Sequence, residues 1–363
     1  MRVLLINPWE GEVFPTPAIG YLQAVIKSTG VDVKAIDMPL AWSEKDDYDL
    51  VAVTFHSFSV KHAIQIRQHF KGRLVCGGHH PSAIPDQMLA VGYNQVVIGE
   101  GEKAIVDILN GNTSDKIQGG VSDIDSIPFP DYTGLGGDWT MGLPIISSRG
   151  CPFSCNFCAS SNFWGRRYRA RSADNVLSEI EKRKREGYTT WMFEDDNFTA
   201  NRKRVFDICD GLNGTFGWQC ASRAESLDDE LCHRLRQAGC NVIWLGIESL
   251  SQDSLDRCGK NTTVEKMLRG IDTADRHGIQ TMSQFIVGLP GDTLRDIQIT
   301  HKNRMASKIK RYGWNFAWVL PGTEIHKKAI EYGFNDDYYL EHGVPFYTYE
   351  HDFETLTNWA NQI

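Results

Sequence analysis

Continuous apolar runs alternate with helical apolar spacing along the first third of the chain. Residues 2–7 (RVLLIN) read as a buried strand, and residues 18–29 place Ile19, Leu22, Val25 and Ile26 on one helical face. Further strands are expected at 31–36, 50–55, 73–76 and 95–98, with helices at 60–70 and 103–109. This alternation predicts an α/β domain built on a doubly wound parallel sheet, whose ligands bind beyond the carboxyl ends of the strands. The loops at those ends are 8–17, TFHSFS (54–59), GGHHP (77–81) and GEGE (99–102). Ordinary turn and capping chemistry also accounts for each of them. No GxGxxG follows the first strand, which weakens a nicotinamide reading.

Residues 111–142 are rich in Gly, Pro and Asp and lack periodicity, as an interdomain linker does. The alternation then resumes, with six strands expected at 144–147, 190–193, 218–221, 242–247, 281–287 and 314–320. Helices are expected at 172–185, capped by Ser172, and at 227–238 and 264–277. The charge run 181–186 reads as a solvated helix face. Polar residues gather just past the strands: Glu194, Asp195 and Asp196, then Ser222 and Arg223, then Glu248 and Ser249, and finally GLPGD at 288–292. Carboxylates there can accept from an ammonium group or ribose hydroxyls, and a guanidinium can pair with a carboxylate.

The 363 residues exceed one usual core and suggest two domains, and 41% hydrophobic content supports packed interiors. A net charge of −8 argues against a broad nucleic-acid surface. No signal peptide or membrane segment is read from the sequence, and the odd count of nine cysteines fits a reducing, cytoplasmic compartment.

Three of those cysteines, Cys151, Cys155 and Cys158, form a CxxxCxxC triplet after a short apolar run. Soft thiolates so placed can hold three corners of a [4Fe–4S] cluster, leaving the fourth iron open to a small ligand. A zinc site is the competing reading, but zinc wants four ligands, usually in CxxC pairs, and the chain has no second pair.

The triplet resembles the cluster loop of the radical S-adenosylmethionine (SAM) superfamily. FEDDNF, GCNVIWLGIES, FIVGLPGD and the later Pro321-Gly322-Thr323 resemble superfamily segments at the matching places. The upstream GGHH and GEGE loops are similar to those of the cobalamin-binding domain in one class of that superfamily. The resemblance implies a Rossmann-like cobalamin-binding domain (1–112), a linker (113–142), a partial (β/α)6 radical SAM barrel (143–330) and a short C-terminal region (331–363). It implies that Cys151, Cys155 and Cys158 ligate the cluster and that Phe157 meets the SAM adenine. Glu194, Asp195 and Asp196 are expected near the SAM amino group, Arg223 at its carboxylate, and Glu248, with Ser249, at its ribose. Gln284 is expected to face the same cavity. Cobalamin contacts are expected from Pro8, Thr54, Phe55, His56, Ser57, Gly77, Gly78, His79, Glu100, Gly101 and Glu102. The chain lacks the DxHxxG loop of other cobalamin proteins, its first loop reading Trp9-Glu10-Gly11-Glu12. His56 and His79 are therefore candidates for a cobalt ligand, a hydrogen-bond donor to the corrin, or a turn residue. Trp139 and Met141 either look into the active site or, the favoured reading, serve as ordinary packing. Tyr338, Tyr339, Phe346, Tyr347, Tyr349 and Trp359 either wall the substrate or cover the last helix.

By the same resemblance, the reduced cluster gives one electron to SAM, and the resulting 5′-deoxyadenosyl radical abstracts hydrogen from substrate. Cobalamin between the domains carries a methyl group. The leading expectation is a methyltransferase acting on an unactivated carbon or phosphorus centre of a small-molecule or peptide substrate, reduced by a flavodoxin- or ferredoxin-type protein. The alternatives are ring contraction, cyclisation or another rearrangement without net methylation, and a noncatalytic cobalamin and iron–sulfur sensor. A methylthiotransferase is weaker, because only Cys76 precedes Cys151.

Overall fold

The computed structural model describes residues 1–9, 16–136, 142–165, 167–212, 214 and 216–362. Glu10, Gly11, Glu12, Trp139 and Met141 lie outside the described residues. The chain forms two compact units, Met1–Thr140 with Phe334–Val344, and Met141–Gly333 with Pro345–Ile363.

The first unit is a six-stranded, all-parallel sheet of β1 (Arg2–Asn7), β2 (Asp32–Asp37), β3 (Leu50–Thr54), β4 (Leu74–Gly77), β5 (Gln95–Ile98) and β6 (Lys116–Gln118). Its strand order is β2-β1-β3-β4-β5-β6. The chain leaves β1 to build β2 on one side and β3 on the other, so the topological switch lies at the ends of β1 and β3. Val3, Leu4, Leu5 and Ile6 are all buried, because a parallel sheet covered on both faces needs runs rather than alternation. On one face Leu4, Ile6, Val51, Val53, Phe55 and Phe70 pack with Tyr339, which arrives from the returning segment Phe334–Val344. β6 falls inside the expected linker; its single buried Ile117 between two exposed residues is too short a pattern to read as a strand.

The second unit is a six-stranded parallel sheet of β7 (Leu143–Ile145), β8 (Thr190–Phe193), β9 (Gly217–Ser222), β10 (Cys240–Glu248), β11 (Gln280–Val287) and β12 (Tyr312–Phe316). Spatial order follows chain order, the signature of an open (β/α)6 arc, or partial barrel. Alternation is clear here. Ile243, Leu245 and Ile247 lie buried under helices, while Trp244 and Gly246 face inward with Gln219, Met282 and Gln284 and remain partly open. Ser172 caps helix Ala173–Arg185 by accepting from the Asn175 amide (3.2 Å). The charge run on that helix is not wholly solvated. Arg183 and Glu179 are buried, and Glu179 also takes Arg171 (2.5 Å), since the helix lays one polar row against the segment that follows the cysteine loop.

The last strand ends at Phe316, short of the expected residue 320. Beyond it the chain turns to pair with its own C-terminal segment: the Tyr347 amide donates to Ala317 O (2.7 Å) and Trp318 bridges Phe346. Tyr347 and Trp359 are buried in this unit, Trp359 beside Val287, Ile297 and Leu356. Of the C-terminal aromatics, Tyr339, Tyr347 and Trp359 are therefore core residues.

In GLPGD, buried Asp292 accepts from Ser254 Oγ (2.6 Å) and the Leu289 amide (3.1 Å), with Arg257 Nη2 at 3.4 Å. Burial pushes its carboxyl up to about 6, and the nearby Asp296 charge adds to the rise. A folded pKa above the unfolded value means the native state holds a proton that the unfolded chain loses first. Stability from this group is therefore present below about pH 4 and lost as pH rises through about 6. Urea titrations should show the stability difference between wild type and Asp292→Asn falling by about 2–3 kcal/mol from pH 4 to pH 7. Truncating Tyr339→Ala, which empties a fully buried site, should cost about 3–5 kcal/mol in the same assay.

Candidate functional site

The cysteine loop is held in place before its first cysteine. At the end of β7, the Ser147 and Ser148 amides donate to Asp195 Oδ1 (2.7 and 3.0 Å), and their hydroxyls donate to Oδ2 (2.5 and 2.7 Å). Asp195 sits just past β8, so one carboxylate ties two strand ends together. Arg204 Nη2 lies 3.6 Å away. Burial raises the Asp195 carboxyl, while Arg204 and the serine donors pull it down. Gly150 follows with φ +84°, and a Cβ there would stand 2.0 Å from Arg167 O, so only glycine fits. Its amide donates to Asp196 Oδ2 (3.0 Å).

The loop is then clasped from two further segments. The Asn156 amide donates to Cys258 O (3.1 Å) and its side chain to Arg257 O (2.9 Å). The Glu324 amide donates to Asn156 O (3.1 Å), and Asn162 Nδ2 to Gly322 O (2.5 Å). Cys151, Cys155 and Cys158 are half-buried and unpaired. Burial raises the Cys151 thiol and pushes Cys158 up to about 11, so a soft metal must displace those protons to bind. Among the described residues no three His, Cys, Asp or Glu side chains converge on a single ion. Cubane ligands bind three different irons and need no such convergence.

The residues expected around SAM divide into two groups. Glu194 and Asp196 flank Asp195 and keep accessible carboxylates, although the surrounding protein raises the pKa of both. Gln284 faces the inside of the arc and accepts from Asn315 Nδ2 (3.2 Å). Phe157 is half-buried in the loop. Three expectations meet a different arrangement. Asp195 is consumed by Ser147 and Ser148, because strand alternation turns it inward between its neighbours. Ser249 is buried against Thr300 Oγ1 (2.9 Å), on the helix side of its strand. Arg223 reaches the Cys155 sulfur (3.6 Å) and stacks on Phe153, its carbon 3.9 Å from the ring centre.

Glu248 has φ +66°, in the left-handed region that costs a side-chain-bearing residue energy. Its carboxylate folds back over Gly246, where a Cβ would stand 2.5 Å from Oε1, and it accepts from Lys260 Nζ (3.0 Å). Lys260 is 3% exposed and was not legible in the sequence, since a lysine in a Gly-Lys-Asn loop has the pattern of a surface turn.

In the first unit, β1 and β3 end at the switch point with Pro8, Trp9, Thr54, Phe55 and His56. The rings of Trp9 and His56 meet edge to face at 5.6 Å. Gly78 has φ +101°, and a Cβ on it would stand 2.5 Å from Phe55 O, so the ends of β3 and β4 approach closely without side chains between them. His56 and His79 are accessible there. Burial lowers both imidazoles, His79 to about 4 with help from His56, so neither carries charge at neutral pH. The next histidine has another role. His80, fully buried, joins Ser57 Oγ (2.9 Å) to Gln87 Oε1 (3.1 Å), and Gln87 donates to Asp336 O (2.8 Å) in the returning segment. Ser57 is thus engaged inside the fold. Glu100 likewise accepts from the Val121 amide (3.0 Å) and secures the chain after β6. Gly101 opens helix Gly101–Leu109, with Glu102 buried in its first turn.

Residues 145–302 match the model of the radical SAM superfamily. The chain is 29% identical to an uncharacterized methyltransferase, PH0819, of Pyrococcus horikoshii, over 91% of this chain and 83% of that protein. It is 26% identical to the bacteriochlorophyllide d C-8(2)-methyltransferase of Chlorobaculum tepidum, over 79% of this chain and 69% of that protein. Its fold superposes with a TM-score of 0.72 on the radical SAM methyltransferase TsrM of Kitasatospora setae, solved with cobalamin and a [4Fe–4S] cluster bound. That likeness is at 20% identity, covering 89% of this chain and 76% of the other.

Removing the Asp195 clamp leaves two buried amides and two hydroxyls facing a mismatched partner. Asp195→Asn should lower unfolding free energy by about 2–4 kcal/mol and reduce iron per chain after anaerobic reconstitution, read by urea titration and iron assay.

Proposed function

We propose that this chain is a cobalamin-dependent radical SAM enzyme that methylates an unactivated carbon or phosphorus centre of a small molecule. The observation that carries this reading is the set of three unpaired thiols, Cys151, Cys155 and Cys158, on a loop secured by Asp195, Cys258 and Glu324. The relatives named methyltransferases support the methyl-transfer half.

When bound, the cofactors supply the chemistry: one electron and a SAM-derived radical from the cluster site, and a methyl carrier in cobalamin. The chain supplies the positions. Cys151, Cys155 and Cys158 would each hold one iron. Glu194 and Asp196, the latter already holding the Gly150 amide through Oδ2, would accept hydrogen bonds from the SAM ammonium with their accessible carboxylates, and Glu248 from its ribose. Gln284 would present its amide inside the arc. In the first unit, the bare backbone at Gly77 and Gly78 suits a broad, flat ligand approaching the strand ends. The neutral rings of His56 and His79 would lie against the same group.

All nine cysteines are unpaired, which suits a reducing compartment with a low-potential flavodoxin- or ferredoxin-type donor. No helix of the described residues is long and apolar enough to cross a membrane.

Protein purified anaerobically from cells given iron and a cobalamin source should carry about four iron and one cobalt per chain. With SAM and a reductant it should release S-adenosylhomocysteine in proportion to cobalt, before any substrate is known. Cys155→Ala should lose the iron and all SAM cleavage to 5′-deoxyadenosine. Iron and SAM cleavage without cobalt binding, even after cobalamin is supplied, would remove the methyltransferase reading.

A further inference from the structure

We propose that Arg223 acts on the iron–sulfur cluster rather than on SAM, donating a hydrogen bond to the Cys155 sulfur and so setting the cluster's reduction potential. The residue stands at the end of β9, where Nη1 points at Cys155 Sγ at 3.6 Å. The other two guanidinium nitrogens are committed elsewhere. Nε donates to Glu225, and Nη2 donates to the main-chain carbonyl of Lys260. One face of the group lies on the Phe153 ring at 3.9 Å.

This arrangement leaves no edge of the guanidinium wholly free for the role first expected of the residue. Two-point pairing with a free carboxylate needs two adjacent N–H groups on one edge of the guanidinium. Each such edge here includes at least one nitrogen already bound within the fold, and the side chain is buried. The lock is itself anchored. Lys260, whose carbonyl receives Nη2, pairs its ammonium with Glu248, so the ends of β9 and β10 hold the guanidinium jointly. Cys258, two residues earlier, accepts the Asn156 amide, which fixes the cluster loop against the same segment.

A donor N–H and a fixed positive charge beside a ligating sulfur stabilise the reduced, more negative cluster over the oxidised one. Arg223 is thus a positioning and tuning residue whose effect on the reaction runs through the cluster's readiness to accept an electron. The inference rests on the iron–sulfur reading above.

The test is an EPR-monitored redox titration of anaerobically reconstituted Arg223→Gln and Arg223→Lys, with dithionite as the one-electron reductant. At the wild-type midpoint, Arg223→Gln should show a reduced-to-oxidised ratio about tenfold lower, a shift of about 59 mV to more negative potential. Arg223→Lys, which keeps the charge but shortens the reach, should fall between. SAM affinity, measured by anaerobic equilibrium dialysis with labelled SAM, should stay within about twofold of wild type in both. A midpoint unchanged in Arg223→Gln overturns the inference, and so does a tenfold loss of SAM affinity without a shift in potential. Full iron content and a retained cluster signal in the variants keep either failure distinct from failure of the iron–sulfur reading.

Discussion

The carboxylate of Asp195 is the constraint on which the second unit's site depends. It is fully buried, and a buried charge is tolerated only when its lone pairs are met. The donors that meet it, Ser147 and Ser148, are the second and third residues after β7, so satisfying the charge also dictates where the cysteine loop begins. Gly150 then has to pass under Arg167 O with a left-handed φ, and the Asp196 carboxylate takes its amide. The cysteine loop inherits its starting position from an electrostatic requirement of β8.

Around that constraint, neighbouring polar residues divide into those spent on the fold and those left accessible. Glu194 and Asp196 stay accessible while Asp195 between them is consumed, because strand-like alternation persists past the end of β8. His79 and His80 divide the same way at the start of a helix, His80 turning into the core to join Ser57 and Gln87. Asp196 gives one carboxylate oxygen to the Gly150 amide and still keeps an accessible carboxylate, so exposure and not the lack of an internal partner separates it from Asp195. The strained backbone at Glu248 fits this picture. A left-handed φ places its carboxylate over Gly246 and within reach of Lys260, and the resulting ion pair helps offset the conformational cost.

Much of the fold was legible because parallel α/β architecture writes itself as alternating apolar runs and helical periods. The strands from RVLLIN to QVVI and the barrel strands through QTMSQFIV follow that rule closely. The segments that escaped lack a period long enough to read. β6 offers one buried residue, and Phe334–Val344 contributes Tyr339 to a core assembled more than two hundred residues earlier in the chain.

By itself the sequence determined the chemistry that one loop can carry, since three thiols at CxxxCxxC spacing are a local property. It also determined the two runs of βα units, because burial on both faces of a parallel sheet demands such strands. Only the tertiary structure decided which polar residues remain for ligands. Asp195, Ser249, Ser57, Glu100 and Arg223 are of the same types as residues that bind cofactors. Their partners, Ser147, Thr300, His80, Val121 and Cys155, come from distant parts of the chain. A hydrogen bond is satisfied by whatever stands within about 3 Å, and that proximity exists only once the chain has folded.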